Sequence, residues 1–262
     1  MNTLGYLSSR AKIKNVIIFG AQSTGLGTGQ NMSQPISKAY AVIVAGGSGT
    51  RMQSALPKQF IPLHGRPIMM YTIEAFVASG YSPEIILVLH ADYHGLWTEL
   101  CNVHNFAVKH TLIAGGETRF HSVKNAIDQI TDKNVLIAVH DAVRPLVSKT
   151  AIDKAYLCAE TYGTAVVAVK SRDSVRHASG TTSASIDRES IYLVQTPQTF
   201  KSDLLRAAYT QPYNTRFTDD ASVVECSGAE IKLVAGSYTN FKITFPEDIT
   251  IAEALINKKP PA

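Results

Sequence analysis

Five short apolar runs recur along the chain: "AVIVA" at 41–45, "IILVL" at 85–89, "VLIAV" at 135–139, "AVVAV" at 165–169 and "IKLVA" at 231–235. A strand with one wet face alternates apolar and polar residues. A run without that alternation belongs to a strand covered on both faces, as in a mainly parallel sheet. Between the runs lie stretches with helical spacing at 66–79, 119–130, 149–162, 219–228 and 246–258. The last opens with Pro246, Glu247 and Asp248, a favourable helix start. Alternating strands and helices of these lengths predict an α/β fold: a Rossmann-like, doubly wound, mainly parallel sheet. Its ligands would sit beyond the C-terminal strand ends. At 262 residues and 45% hydrophobic, the chain can bury one large core, and no Pro/Ser/Gly-rich or charged break interrupts 40–258. One domain is therefore expected over 38–262.

Two segments break the rhythm. Residues 171–195 are polar, carry the turn-like "ASGTT" and alternate weakly on either side, which predicts a projecting β-hairpin arm. An exposed hairpin is an edge that needs a cover, and a second subunit would supply one, so a homodimer is expected. Residues 1–37 are expected to form a loosely ordered leader, with "NVIIF" at 15–19 as its one strand-like piece. The glycines of "GLGTGQ" lack the Gly-x-Gly-x-x-Gly spacing of a dinucleotide fingerprint, and no helical pattern follows them.

The formal net charge of +4 is spread along the chain. That suits an anionic small-molecule substrate and argues against a nucleic-acid groove, where clustered cations with interleaved aromatics are expected. No apolar stretch reaches the roughly 18–20 residues of a membrane helix. Cys101, Cys158 and Cys226 are odd in number and far apart, which points to packing residues in a reducing cytoplasm and away from a disulfide framework.

Four constellations follow predicted strands. In "AVIVAGGSGTRMQSALPKQF" (41–60), the backbone from Ala45 through Gly46, Gly47, Ser48 and Gly49 can approach phosphate oxygens closely. Arg51 and Lys58 add two cations, although the Gly-Lys-Ser/Thr ending of a P-loop is missing. A tight strand–helix turn with incidental cations is the plainer alternative for this loop taken alone. In "VHDAVRP" (139–145), Asp141 stands where α/β enzymes place a carboxylate for Mg2+, and a capping aspartate beside a near-core His140 is the alternative. In "AGGETRFHS" (114–122), Gly115 and Gly116 leave room for a flat ring, and Ser122 offers a hydroxyl to its edge. In "YTNFKITFPED" (238–248), Lys242 and Thr244 are two residues apart, so a strand there would turn both to one phosphate. His90 and His94 have i, i+4 spacing without a third ligand nearby and read as solvent-facing.

These pieces in this order resemble the cytidylyltransferases that make CDP-methylerythritol or CDP-ribitol. The markers are "AGGSGTRM", "LPKQF", "GGETRFHSV", "HDAVRP", "QTPQTF", "TDDASVVE" and "NFKIT", spanning about 40–258. "TDDASVVECSG" and "FPEDI" favour the branch acting on 2-C-methyl-D-erythritol 4-phosphate in non-mevalonate isoprenoid synthesis. "LPKQF", "GRPI" and "QTPQTF" suit the ribitol 5-phosphate branch as well. The resemblance implies that Ala45 to Gly49, Arg51 and Lys58 bind the CTP triphosphate. It further implies that Gly116 and Ser122 read the cytosine, and that Asp141 and Ala142 lie by the ribose and Mg2+. Lys242 and Thr244 would face the acceptor phosphate, and Ser174 and Arg188 would reach the neighbouring subunit's substrate. Ser174 stands where the family usually carries Thr, and residues 1–37 have no counterpart. A non-catalytic nucleotide-binding regulator on the same fold is the alternative of a different class.

Overall fold

The computed structural model describes residues 18–19, 38–46 and 56–257. In chain order the strands are β1 (Ile18–Phe19), β2 (Ala39–Val44), β3 (Pro62–Leu63), β4 (Arg66–Pro67), β5 (Glu84–Leu89) and β6 (Thr111–Ala114), then β7 (Leu136–Asp141), β8 (Thr164–Lys170), β9 (Val175–Ser179), β10 (Thr182–Ile186), β11 (Tyr192–Lys201) and β12 (Leu233–Ala235). The α-helices are α1 (Ile68–Val77), α2 (His94–Val103), α3 (Arg119–Gln129), α4 (Lys149–Tyr162), α5 (Ser202–Ala208), α6 (Asp220–Cys226) and α7 (Pro246–Ile256).

Eight strands form the main sheet in the order β1-β12-β8-β11-β7-β2-β5-β6. Its pairs are parallel except where β11 runs antiparallel to both β7 and β8. From β2 the chain winds outward through β5 and β6, then returns to the other side of β2 to lay down β7. The crevice beyond the C-terminal ends of β2 and β7 is thus a topological switch point, the ligand position of such sheets.

The apolar runs make this architecture by feeding two cores at once. Along β2, Ala39, Ala41 and Ile43 pack into one cluster with Met69, Phe76, Trp97 and Tyr156, contributed by α1, α2 and α4. Tyr40, Val42 and Val44 pack into a second with Phe120, Val123, Leu205 and Val224 from α3, α5 and α6. That is the two-residue period of a strand, with both faces apolar. A third cluster joins Leu63, Ile68 and Val143 to Ile243 and Ala252, seating α7 and the segment before it beside the switch point.

Several expectations are corrected. Residues 66–79 divide into β4 and a helix that starts only at Ile68, after Pro67. Two helices, α2 and α5, and the central strand β11 had no counterpart among the expected elements. The paired hairpin covers only 175–186, because 192–195 already belongs to β11. Residues 238–245 form no strand, so Lys242 and Thr244 lie on an irregular segment. Cys158 is buried, Cys101 is partly covered and Cys226 is exposed, against the expectation of packing residues throughout. His90 is exposed, whereas His94 is partly buried with its Nε2 3.0 Å from the Leu89 carbonyl oxygen. Apart from the Ile18–Phe19 pairing with β12, the expected leader lies outside the described residues.

Helix α4 ends at Gly163, whose φ of +90° is left-handed and whose added Cβ would lie 2.8 Å from Leu204 Cδ1. Gly163→Ala is expected to cost about 1–2 kcal/mol in urea unfolding. The residue is remote from the switch point, so catalytic parameters should stay at the wild-type level.

Candidate functional site

Asp141 ends β7 and is 8% exposed. Its Oδ2 lies 3.1 Å from both Arg144 Nε and Lys242 Nζ, and its Oδ1 lies 3.7 Å from Arg119 Nε. Its backbone N–H donates to Thr196 Oγ1 on β11 at 3.1 Å. Burial by itself would raise this carboxyl, but the charges of Arg119, Lys242 and Arg144 outweigh it and hold the group well below the usual carboxylate range. Neighbouring His140 is pushed down to about 3 by burial and stays neutral, edge-on to Phe76 with Nε2 3.3 Å from the Arg144 carbonyl oxygen. It is a packing residue with no acid–base part.

Around Asp141 lies a cavity of about 150 Å3 whose lining includes Ala45, Gly46, Lys58, Arg119, Ala142 and Lys242. They come from several separate segments. Ala45 continues β2, donating its N–H to the Val88 carbonyl at 2.8 Å and accepting from Gln59 Nε2 at 2.7 Å. Gln59 and Lys58 share a short 3-10 turn that begins after Pro57. Ala142 is held by its N–H to the Val44 carbonyl and by the Thr72 hydroxyl on its own carbonyl. Lys242 arrives on the irregular segment, fastened on either side: Arg144 Nη1 donates to the Asn240 carbonyl at 2.9 Å, and Ile243 N–H to the Val143 carbonyl at 2.9 Å. The cavity therefore gathers three cations and one carboxylate, a basin for a polyanion.

The expected glycine bed adjoins it. Ser122 Oγ sits 3.3 Å from where a Cβ on Gly46 would stand and 3.4 Å from one on Gly115. The hydroxyl accepts the Gly116 N–H at 3.0 Å and donates to the Thr118 carbonyl at 2.9 Å, so it fastens the turn into α3. Thr244 lies one step out, beside Phe241, Phe245 and Ile251, with its N–H bound to Asp248 Oδ2 at 2.7 Å. Ser174 and Arg188 are exposed at the foot of the hairpin and do not line this chain's own cavity. Gly47, Ser48, Gly49 and Arg51 lie outside the described residues.

The sequence reading passed over Gln59, Arg144 and Arg119. Arg119 opens α3 and lines the cavity while both its terminal nitrogens bind Asp220, Nη1 to Oδ1 at 2.9 Å and Nη2 to Oδ2 at 2.7 Å. "HDAVRP" and "GGETRFHS" contained two of these residues, but the Asn240 carbonyl bound by Arg144 and the Asp220 carboxylate bound by Arg119 are remote in sequence.

Comparison with known proteins gives the family and the fold. The model of the family described as "IspD: 2-C-methyl-D-erythritol 4-phosphate cytidylyltransferase" matches residues 39–258. The chain belongs to this family. A protein of that name from Phocaeicola vulgatus is 46% identical over 217 residues, covering 83% of this chain and 99% of the relative. Another from Bacteroides fragilis is 45% identical over 216 residues, covering 82% and 98%. The crystal structure of 4-diphosphocytidyl-2C-methyl-D-erythritol synthase from Anaerococcus prevotii superposes with a TM-score of 0.73 at 27% identity, covering 85% of this chain and 97% of that one. The cytidylyltransferase from Thermus thermophilus gives 0.66 at 28% identity, covering 84% and 99%. Cytidylyltransferases are nucleotidyltransferases, the enzyme class of this chain.

A Cβ on Gly116 would meet His121 Cβ at 2.5 Å and His121 C at 2.9 Å, within the first turn of α3. Gly116→Ala should therefore displace that turn and cost about 1–3 kcal/mol in chemical denaturation. Wild-type stability would mean that the turn yields freely.

Proposed function

We propose that this basin is where the chain transfers CMP from CTP to the phosphate of 2-C-methyl-D-erythritol 4-phosphate, releasing pyrophosphate on the way to isoprenoid precursors. The observation that carries the reading is the convergence of Lys58, Arg119 and Lys242 with Asp141 at the switch point of the sheet. The nucleophile is a phosphate-monoester oxygen, already anionic at neutral pH, so no general base is needed. What opposes reaction is the approach of two anions and the charge that grows on the α-phosphate and the leaving pyrophosphate. Positioned cations and backbone donors lower that barrier, with attack in line at the α-phosphorus.

In this reading the backbone from Ala45 to Gly49, with Arg51 and Lys58, cradles the triphosphate. Gly115 and Gly116 form the bed of the cytosine, with Ser122 locking their turn. Ala142 lies by the ribose. Lys242 stands between the donor and acceptor phosphates, and Thr244 faces the acceptor. Ser174 and Arg188 act on the substrate of a second copy in a homodimer. Support for that assembly comes from the exposed hairpin and the exposed apolar Leu193 and Val194 at its root. The three unpaired cysteines accord with a cytoplasmic enzyme. Among the described residues no helix is long and apolar enough to cross a membrane.

Mg2+ fits the donor set. Asp141 supplies one carboxylate whose Oδ1, among the described residues, is approached by Arg119 Nε at 3.7 Å. Among the described residues no cluster of three His, Cys, Asp or Glu surrounds it. One carboxylate with phosphate and water oxygens is a usual environment for this ion. Bound there, Mg2+ would neutralise phosphate charge.

Purified protein incubated with CTP, Mg2+ and either methylerythritol 4-phosphate or ribitol 5-phosphate should release pyrophosphate faster with the first. Release with neither would sink the reading and leave a nucleotide-binding regulator. Lys58→Ala and Lys242→Ala should each lose about 100-fold or more in kcat/KM while remaining folded by circular dichroism. Near-normal turnover in both would refute their roles.

A further inference from the structure

Asp220 is completely buried, and phosphate transfer has no evident need for a carboxylate there. It spends both oxygens on the terminal nitrogens of Arg119, and Oδ1 also accepts the Tyr209 hydroxyl at 2.6 Å. Tyr209 in turn stacks on Phe120, the residue after Arg119, with ring centroids 4.7 Å apart. The backbone of Asp220 is equally constrained. Asp219 caps α6 through a reciprocal bond pair with Ser222, and Gln198 of β11 binds both Asp219 Oδ2 at 2.9 Å and the Ala221 N–H at 2.8 Å. A continuous line of contacts thus runs from the central strand beside β7 to the guanidinium in the basin.

We propose that Asp220 is a positioning residue for the cytidylyl transfer, acting through Arg119 on Asp141. By holding both terminal nitrogens, it leaves Nε as the edge of the guanidinium turned to Asp141 Oδ1, at 3.7 Å. Released from Asp220, the same fork would be able to close on Asp141 with two parallel bonds, the strongest pairing open to an arginine. It would then compete for the carboxylate with Arg144 and Lys242. A buried ion pair is a poor source of stability, since apolar groups of similar volume often replace it without loss, so stability alone gives Asp220 little reason to be charged.

The inference rests on the proposed function, in that Asp141 must lie at the reacting phosphates. The test separates the two. Asp141→Asn examines the site itself, and substantial activity there would overturn the site reading before Asp220 is considered. For Asp220, the full-length enzyme is compared with Asp220→Asn, Tyr209→Phe, Arg119→Gln and the double variant Asp220→Asn/Arg119→Gln, by steady-state pyrophosphate release and thermal melting. Asp220→Asn is expected to lose at least about tenfold in kcat, with KM for CTP within about threefold of wild type. Tyr209→Phe should move in the same direction by a smaller factor. The double variant should be no slower than Arg119→Gln, because Asp220 acts only through that residue. A kcat of Asp220→Asn within about twofold of wild type, or losses that add in the double variant, would overturn the proposal. So would a loss accounted for by the unfolded fraction at the assay temperature. Should Asp220→Asn fail to fold, Tyr209→Phe decides: a reduced kcat at unchanged KM supports the proposal and an unchanged kcat overturns it.

Discussion

A buried anion among cations organises the sheet end where β2 and β7 finish. Asp141 ends a strand that is apolar for most of its length, where an unpaired carboxylate would be prohibitively costly. Arg144, Lys242 and Arg119 meet that cost, and each brings a different piece of chain with it. Arg144 secures the loop after β7 and, through the Asn240 carbonyl, the segment that carries Lys242. Arg119 brings the start of α3. One carboxylate thereby sets the mutual positions of three segments that share no secondary structure, and the cavity is the space among them.

The same arrangement suits the chemistry proposed for the basin. Two phosphorylated substrates repel each other, and an enzyme joining them must present positive charge that is oriented before they arrive. Asp141 prevents that charge from becoming a mutually repelling cluster. The apolar sheet beneath supplies a rigid floor, with Ala45 and Ala142 pinned to neighbouring strands by backbone bonds.

How much of this was legible in the sequence depended on the range of the interaction. β2, β5, β7 and β8 announce themselves because a two-sided core demands nearly unbroken apolar residues. β11 did not: "YLVQTPQTFK" buries Gln195, Thr196 and Gln198, polar residues whose side chains fasten the Ser237–Asn240 loop, the end of β7 and the start of α6. Those polar groups serve distant partners, which a local hydropathy pattern does not reveal. Lys242 was singled out by its two-residue spacing from Thr244, yet its segment is held by single bonds to the loop after β7 and not by a ladder, so the inferred strand was wrong. Arg119 and Asp220 stand 101 residues apart, and nothing local marks either as the other's partner.

The antiparallel course of β11 has an architectural consequence. β8 finishes at the ligand end of the sheet, and because β11 runs backwards, it starts at that same end. The β9–β10 arm is therefore spliced between two adjacent strand ends beside the basin, with both its roots anchored in the sheet. Its length and tip can drift without altering the register of any strand in the main sheet. The arm can thus change while the floor of the basin stays untouched.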